Sequence, residues 1–440
     1  MSFIIDRQTL ADLEILEVKG MKNPVFKFFD NAISVRGREE LLNIFYSPLS
    51  DIKEIKERQD IIRYFSLKKS CLSIDKYLLD FIELYLQTSN KPVIISRIDA
   101  WHKAIKYAFK PTTEYYIIQR GTKQLIEFLQ ELYSLATKNP EQEHPLLLKK
   151  FFNYITESIQ KSELHHILGF NTNKKISVMN KERFDYIFRF CENDRLKSIL
   201  KIVYQIDAFQ AVANSTNELG FIFPELLESK TINITGLYHP LVKNAVANDI
   251  KLNEEGNVLF LTGANMAGKS TFLKAFGLAV YFAHIGFPVA ANSMQTGVFN
   301  GLLSTINIAD NINKGYSHFY SEVLRIKKVA ENINSKKNLV VIFDELFRSA
   351  NIKDAIDASF EIVSAFSRVK GSIFLVSSHV LEAANQLSKI KNIRFGCFHT
   401  AIKEKTPVYS YHLQEGVTEE RIGMLIIENE QIIEIINGTE

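Results

Sequence analysis

One run limits the fold more than any other: Val258-Leu-Phe-Leu-Thr-Gly263-Ala-Asn-Met-Ala-Gly268-Lys-Ser-Thr271. An apolar strand pattern leads into two glycines, and a helical pattern follows. This is G-x4-G-K-[ST] in the strand–loop–helix context that the motif requires. Gly263 and Gly268 let the backbone close tightly, so that amide N–H groups of Ala264, Asn265, Met266 and Ala267 and the helix start at Thr271 meet phosphate charge. Lys269 has the reach for β- and γ-phosphates, and the Ser270 hydroxyl is suited to Mg2+. The alternative, a glycine turn ahead of a core helix, accounts for less of the match.

A second apolar run, Leu339-Val-Val-Ile-Phe343, ends in Asp344-Glu345. Alone, such a pair reads as a helix cap or a solvated turn. Beside a phosphate loop, the carboxyl end of a buried strand is where ligands gather in an open α/β sheet. Asp344 is then expected to hold Mg2+ through water, and Glu345 to polarise the attacking water. A third run, 372–377, leads to Ser378-His379. His379 can donate to a γ-phosphate or to water, and a purely structural histidine fits equally well. These residues call for ATP and Mg2+.

Around this centre the texture of the chain changes. Residues 38–220 are poor in glycine and carry apolar residues at helical spacing, with amphipathic helices expected over 38–45, 52–65, 117–135 and 195–219. From about 231 short β-branched runs alternate with helices, the signature of a mainly parallel α/β sheet, with strands expected over 258–262, 339–343 and 372–377. The stretch 221–230 looks like the boundary. The 440 residues exceed one ordinary core, which favours two or more domains. A net charge of +3 neither demands nor excludes a nucleic-acid partner. Cys71, Cys191 and Cys397 are scattered and odd in number, which fits buried thiols in a reducing compartment rather than disulfides or zinc. The first twenty residues carry no signal-peptide pattern. The longest apolar stretch, 275–291, contains His284, Gly286 and Pro288 and reads as a buried helix rather than a membrane span. A cytoplasmic location is expected.

The residues resemble the MutS family of mismatch-repair ATPases, relatives of the ABC ATPases. The loop TGANMAGKST at 262–271 is similar to TGPNMGGKST, and Tyr238-His239-Pro240-Leu241 with Ala247-Asn248-Asp249 resemble that family's HP and ND elements. Gly315-Tyr-Ser317-His-Phe319-Tyr-Ser-Glu322 is similar to GRSTFxxEM, with Tyr316 and His318 in place of arginine and threonine. The resemblance implies that Ser317 acts in trans on the ATP of the other subunit of a dimer. Asp344-Glu-Leu-Phe-Arg348 resembles DEIGR, with Phe347 for glycine, and Ser378-His379 falls at a threonine–histidine switch. Tyr411-His-Leu-Gln-Glu-Gly416, with Gly423, resembles HSVQDG…YG. Tyr411 then replaces an adenine-stacking histidine, a task an aromatic ring can perform, although a core tyrosine fits as well. Asp30, Gly37-Arg38, Pro48-Leu49, Arg58 and Asp207 resemble the lever segment.

The resemblance implies an α-helical lever domain over 1–225 and an ABC-type P-loop NTPase domain over 226–440. No counterpart of the family's mismatch-reading or connector domains is recognisable, and 424–437 stands where the family carries a helical dimerisation segment. The expected function is ATP hydrolysis at a composite homodimer site, coupling lever movement to mismatched or branched DNA, with no membrane involved. The alternative is an ABC-like ATPase module acting on a protein or ribonucleoprotein.

Overall fold

The structure, a computed structural model, describes residues 3–15, 24–67, 72–88, 113–138, 144–172, 174, 176–306, 318–348, 350–403, 406–418 and 427–438. Two units emerge. Met1–Phe28, Ser47–Gln59 and Leu219–Glu440 form one, and Phe29–Tyr46 with Asp60–Glu218 form the other. This differs from the expected single division at 225/226, because residues 1–28 and 47–59 group with the sheet-bearing half. Direct hydrogen bonds account for that grouping: Ile4 N donates to Asn300 O at 2.8 Å, and Leu49 N donates to His284 O at 2.8 Å.

Helices α1 (Arg7–Asp12), α2 (Pro24–Lys27), α3 (Val35–Tyr46), α4 (Ile52–Leu67), α5 (Lys76–Leu86), α6 (Thr113–Thr137), α7 (Leu146–Gln160), α8 (Val178–Tyr186) and α9 (Asn193–Leu219) precede the first strand. The four expected helices lie inside α3, α4, α6 and α9 and extend beyond their expected limits, because caps and distant partners add turns that periodicity does not register. Within the helical unit, α3 shows how. Ser34 Oγ accepts from Gly37 N at 2.9 Å, and Asp207 on α9 accepts from Ile33 N, Ser34 N and Ser34 Oγ at 3.0, 2.8 and 2.6 Å. A β-carbon at Gly37 would stand 2.1 Å from Asp207 Oδ2, so only glycine admits this capping carboxylate. Elsewhere in that unit the buried Tyr85 hydroxyl donates to Asp185 at 2.9 Å, and Arg189 from the π-helical turn Ile187–Cys191 donates to the same carboxylate at 2.6 Å.

In the other unit, among the described residues, ten strands make two sheets. Strands β1 (Glu225–Leu227), β2 (Ile232–Leu237) and β3 (Asn248–Leu252) join β5 (Ser293–Gly297) in the order β1-β5-β2-β3. The larger sheet holds β4 (Val258–Gly263), β6 (Gly301–Thr305), β7 (Leu339–Phe343), β8 (Ile373–Ser377), β9 (Ile393–Lys403) and β10 (Thr406–Glu415) in the order β10-β9-β4-β8-β7-β6. All its neighbours pair in parallel except the antiparallel β9–β10 hairpin. The sequence sees β7 and β8 as continuous apolar runs because every residue in them is buried. Phe343, Phe366 and Phe374 stack in sequence, with centroids 5.8 and 4.5 Å apart.

Helix α10 (Lys269–His284) follows β4, with α11 (His318–Lys336), α12 (Ile352–Ser367) and α13 (Leu381–Leu387) between later strands, and α14 (Ile432–Asn437) beyond β10. The apolar stretch 275–291 is buried throughout but helical only as far as His284, a correction to the expected single helix. Gly286 at φ 73° and the following Pro288 end it. Among the described residues no helix is long and apolar enough to cross a membrane. Cys397 is buried, whereas Cys191 is exposed, against the expectation of buried thiols; Cys71 lies outside the described residues.

Candidate active site

Strand register decides what meets what. Leu261 pairs with Ser377, and Phe343 with Val376, so β4, β7 and β8 release their chains at the same edge of the sheet. The loop after β4 turns at Gly263 (φ 142°), Met266 (φ 68°) and Gly268 (φ 108°). At Gly263 a β-carbon would approach Phe398 O to 3.0 Å, so the glycine is needed for both its dihedral and its space. Asn265, Met266, Ser270 and Thr271 are exposed at the loop, while Ala264 and Ala267 are buried beneath it. The Lys269 side chain is only 4% exposed and lies back along the loop, its Nζ donating to Gly263 O at 2.8 Å and Ala264 O at 3.0 Å. Burial lowers its pKa, against the opposing pull of Glu345 and Asp344.

Across the edge, Asp344 N donates to Thr305 O at 2.9 Å, and Glu345 N donates to Ser377 Oγ at 2.8 Å. The same hydroxyl donates to the Asp344 carboxylate. Ser377 therefore fixes both acidic residues, with Glu345 held at φ 55°. The Glu345 carboxylate accepts from His379 Nε2 at 2.6 Å and pairs with Arg348 at 2.9 Å. Its pKa is lowered, chiefly by the His379 hydrogen bond, against burial and with help from Arg348 and Lys269.

A cleft of about 580 Å³ opens over the loop, within the usual size of a small-molecule site. Lys269, Ser270, Thr271, Glu345, Arg348 and Tyr411 are among its lining residues. Tyr411 is 45% exposed rather than part of the core, and its Cδ1 would be 3.2 Å from a β-carbon at Gly268. The opposite wall comes from the β2–β3 connection, including Tyr238, His239, Val242 and Asn244. Burial pushes the His239 pKa down to about 4, with Lys274 adding to the effect, so the ring is neutral near pH 7.

The donor set fits Mg2+: a hydroxyl at Ser270 and a carboxylate at Asp344 are hard oxygen ligands, and this cation ordinarily completes its shell with phosphate and water. Among the described residues no group of three or more histidine, cysteine or acidic side chains forms a metal cage, which such a site does not need.

Of the residues singled out from sequence, those of the loop with Asp344, Glu345, His379 and Tyr411 gather at this one edge. Ser317 lies outside the described residues. Ser377 carried no sequence signal of its own, since a serine ending a strand is commonplace, and Arg348 stood out only by resemblance, with no role attached to it. Only the β7–β8 pairing shows what Ser377 touches.

Residues 259–437 match the family described as MutS domain V. The DNA mismatch repair protein MutS of Aquifex pyrophilus is 26% identical over 414 residues, 90% of this chain and 46% of that protein. The chain carries a MutS domain V. Its MutS relatives include the DNA mismatch repair protein MutS of Geobacillus sp. (strain WCH70), 28% identical over 244 residues, 53% of this chain and 28% of that one. The DNA mismatch repair protein MSH3 of Vanderwaltozyma polyspora is 30% identical over 265 residues, 57% and 26% of the two chains. The chain thus spans less than half the length of these MutS-family relatives. MutS domain V is a P-loop NTPase fold, in keeping with the mixed sheets and flanking helices described above.

Proposed function

We propose that this chain is a cytoplasmic MutS-type, ABC-like ATPase that binds ATP and Mg2+ over the Gly263–Gly268 loop and couples hydrolysis to DNA. One observation carries the reading: the loop, Lys269, the Asp344–Glu345 pair and His379 converge on a single sheet edge beside a cleft of nucleotide size. Lys269 exchanges its loop carbonyls for β- and γ-phosphate oxygens. Ser270 and Asp344 would hold Mg2+, which would supply positive charge against the phosphates when bound. Glu345 orients the attacking water, and His379 donates to the γ-phosphate or to that water. Tyr411 carries the adenine.

The finer parts of the proposal rest on the resemblance to the MutS family. The helical residues act as a lever, the ATPase halves of two copies meet, and Ser317 of the partner subunit completes each site. The DNA is mismatched or branched and is held through shape and backbone.

The test is ATP turnover at low salt, alone and with homoduplex, mismatched or four-way-junction DNA, with Lys269→Ala as the blank. Stimulation by one DNA that vanishes in Lys269→Ala, together with a Glu345→Gln variant that keeps ATP binding but loses turnover, supports the reading. Turnover indifferent to every DNA would transfer the assignment to a protein or ribonucleoprotein partner. A Glu345→Gln variant with parental turnover would remove Glu345 from the chemistry.

A further inference from the structure

Resting on the nucleotide reading above, we propose that Asn248 is the positioning residue of the base platform: its carboxamide holds Tyr411 in the one backbone conformation that presents the ring to the nucleotide.

The argument begins with a fault in the β9–β10 pairing. Tyr409 pairs with Thr400 and Leu413 with Phe398, so the span 409–413 in β10 faces only 398–400 in β9. The surplus residues bulge out of the ladder, with Tyr411 at φ 55°, in the left-handed region that a bulky side chain seldom occupies. Something must hold it there. On the β9 side Ser410 Oγ donates to His399 O at 3.0 Å. On the other side the ladder has ended, because β10 is the edge of the large sheet. A buried side chain supplies what a further strand would have supplied. Asn248, 8% exposed on the edge strand β3, donates from Nδ2 to Tyr411 O at 3.0 Å and to Val246 O at 3.1 Å, and its Oδ1 accepts from Leu413 N at 2.6 Å.

This set of bonds selects the residue type. Two carbonyls need N–H donors, and one amide needs an acceptor, from a single short side chain. A carboxamide offers both, whereas a carboxylate offers only acceptors. The same contacts tie the two cleft walls: Val246 belongs to the β2–β3 connection, and Tyr411 faces it beside Gly268. The ring is thereby set by the strand edge rather than by core packing, since it remains 45% exposed. Asn248 itself need not touch the nucleotide.

The separating measurement compares a ligand with a base to one without. Mg–ATP affinity is measured by calorimetry on the full chain, alongside displacement by Mg–tripolyphosphate, for the parent, Tyr411→Ala, Asn248→Ala, Asn248→Asp and Tyr411→Ala/Asn248→Ala. Stacking of a base on an aromatic ring predicts a loss of about tenfold in ATP affinity for Tyr411→Ala. Asn248→Ala and Asn248→Asp should match it, the double variant should add nothing further, and tripolyphosphate binding should stay parental throughout. Asn248→Asp guards against simple misfolding because it keeps the size and the acceptor. ATP affinity within twofold of the parent in both Asn248 variants, with Tyr411→Ala still weakened, overturns the inference. An equal loss of tripolyphosphate binding also overturns it, since the whole site has then collapsed. Failure of the parent to bind ATP overturns the underlying nucleotide reading, a distinct result.

Discussion

At the scale of single residues, burial sets the charge state of His284 and His239 and makes stability depend on pH. His284 is fully buried; its Nε2 accepts from Phe299 N at 2.8 Å and its Nδ1 donates to Val280 O at 2.7 Å. Both nitrogens are satisfied only by the neutral ring, and burial holds the pKa down to about 4. The unfolded chain, with an ordinary histidine pKa near 6.5, therefore takes up a proton that the folded chain refuses. Stability is full above that ordinary value and falls as pH drops from about 6.5 towards 4, by roughly 3 kcal/mol for this one group. His239 pulls in the same direction. Urea titrations at pH 7 and pH 5 should show the loss, and His284→Gln should flatten it even though the variant is weaker at pH 7. An unchanged slope in His284→Gln would mean that the buried ring is not the source.

At the scale of elements, the first turn of α3 depends on a carboxylate from another helix. Gly37→Ala forces a methyl group into Asp207 and should cost about 1–3 kcal/mol by overpacking. Asp207→Ala strips three donors of their acceptor. Because the two changes share one contact, their sum should exceed the cost of the double variant, a coupling that a urea double-mutant cycle measures directly. Strict additivity would exclude the contact as the source. The same pair shows what the sequence could disclose. Gly37 and Asp207 stood out only by resemblance, and nothing in their local pattern said that they meet. The loop after β4 was legible because its chemistry is written in consecutive residues, and β7 and β8 because two-sided burial leaves continuous apolar runs. Ser377 and Asn248 were not legible in their roles, since each acts through bonds between strands distant in sequence. Helix ends were missed for a similar reason: periodicity records the buried face, whereas caps and remote partners fix where a helix starts.

At the scale of the whole molecule, the division of the chain is discontinuous, and the residues before α2 belong to the sheet-bearing unit. Ile4 forms a parallel bridge with Gly301 on the edge strand β6. Arg325 and Lys328 of α11 both pair with Asp6. Asp12, itself buried, accepts from Ser304 Oγ at 2.7 Å and from Ile306 N at 2.9 Å. Asp12→Ala should lower unfolding stability by about 1–3 kcal/mol, the cost of donors left without an acceptor, and the shift would be read from the urea midpoint. An unshifted midpoint would make this segment a passenger on the fold.

The bonds from Asp12 to Ser304 span 292 residues, which has a meaning for the order of events during synthesis. At about 5–20 residues per second, the partners of residues 3–15 leave the ribosome roughly 15–60 s after those residues do. Throughout that interval Phe3, Leu13 and Ile15, all buried in the finished protein, have no strand edge to cover them. The helical unit lies wholly within the gap and is complete in sequence before β6 exists. Its folding is thus free to run first, before residues 3–15 can take their places along β6.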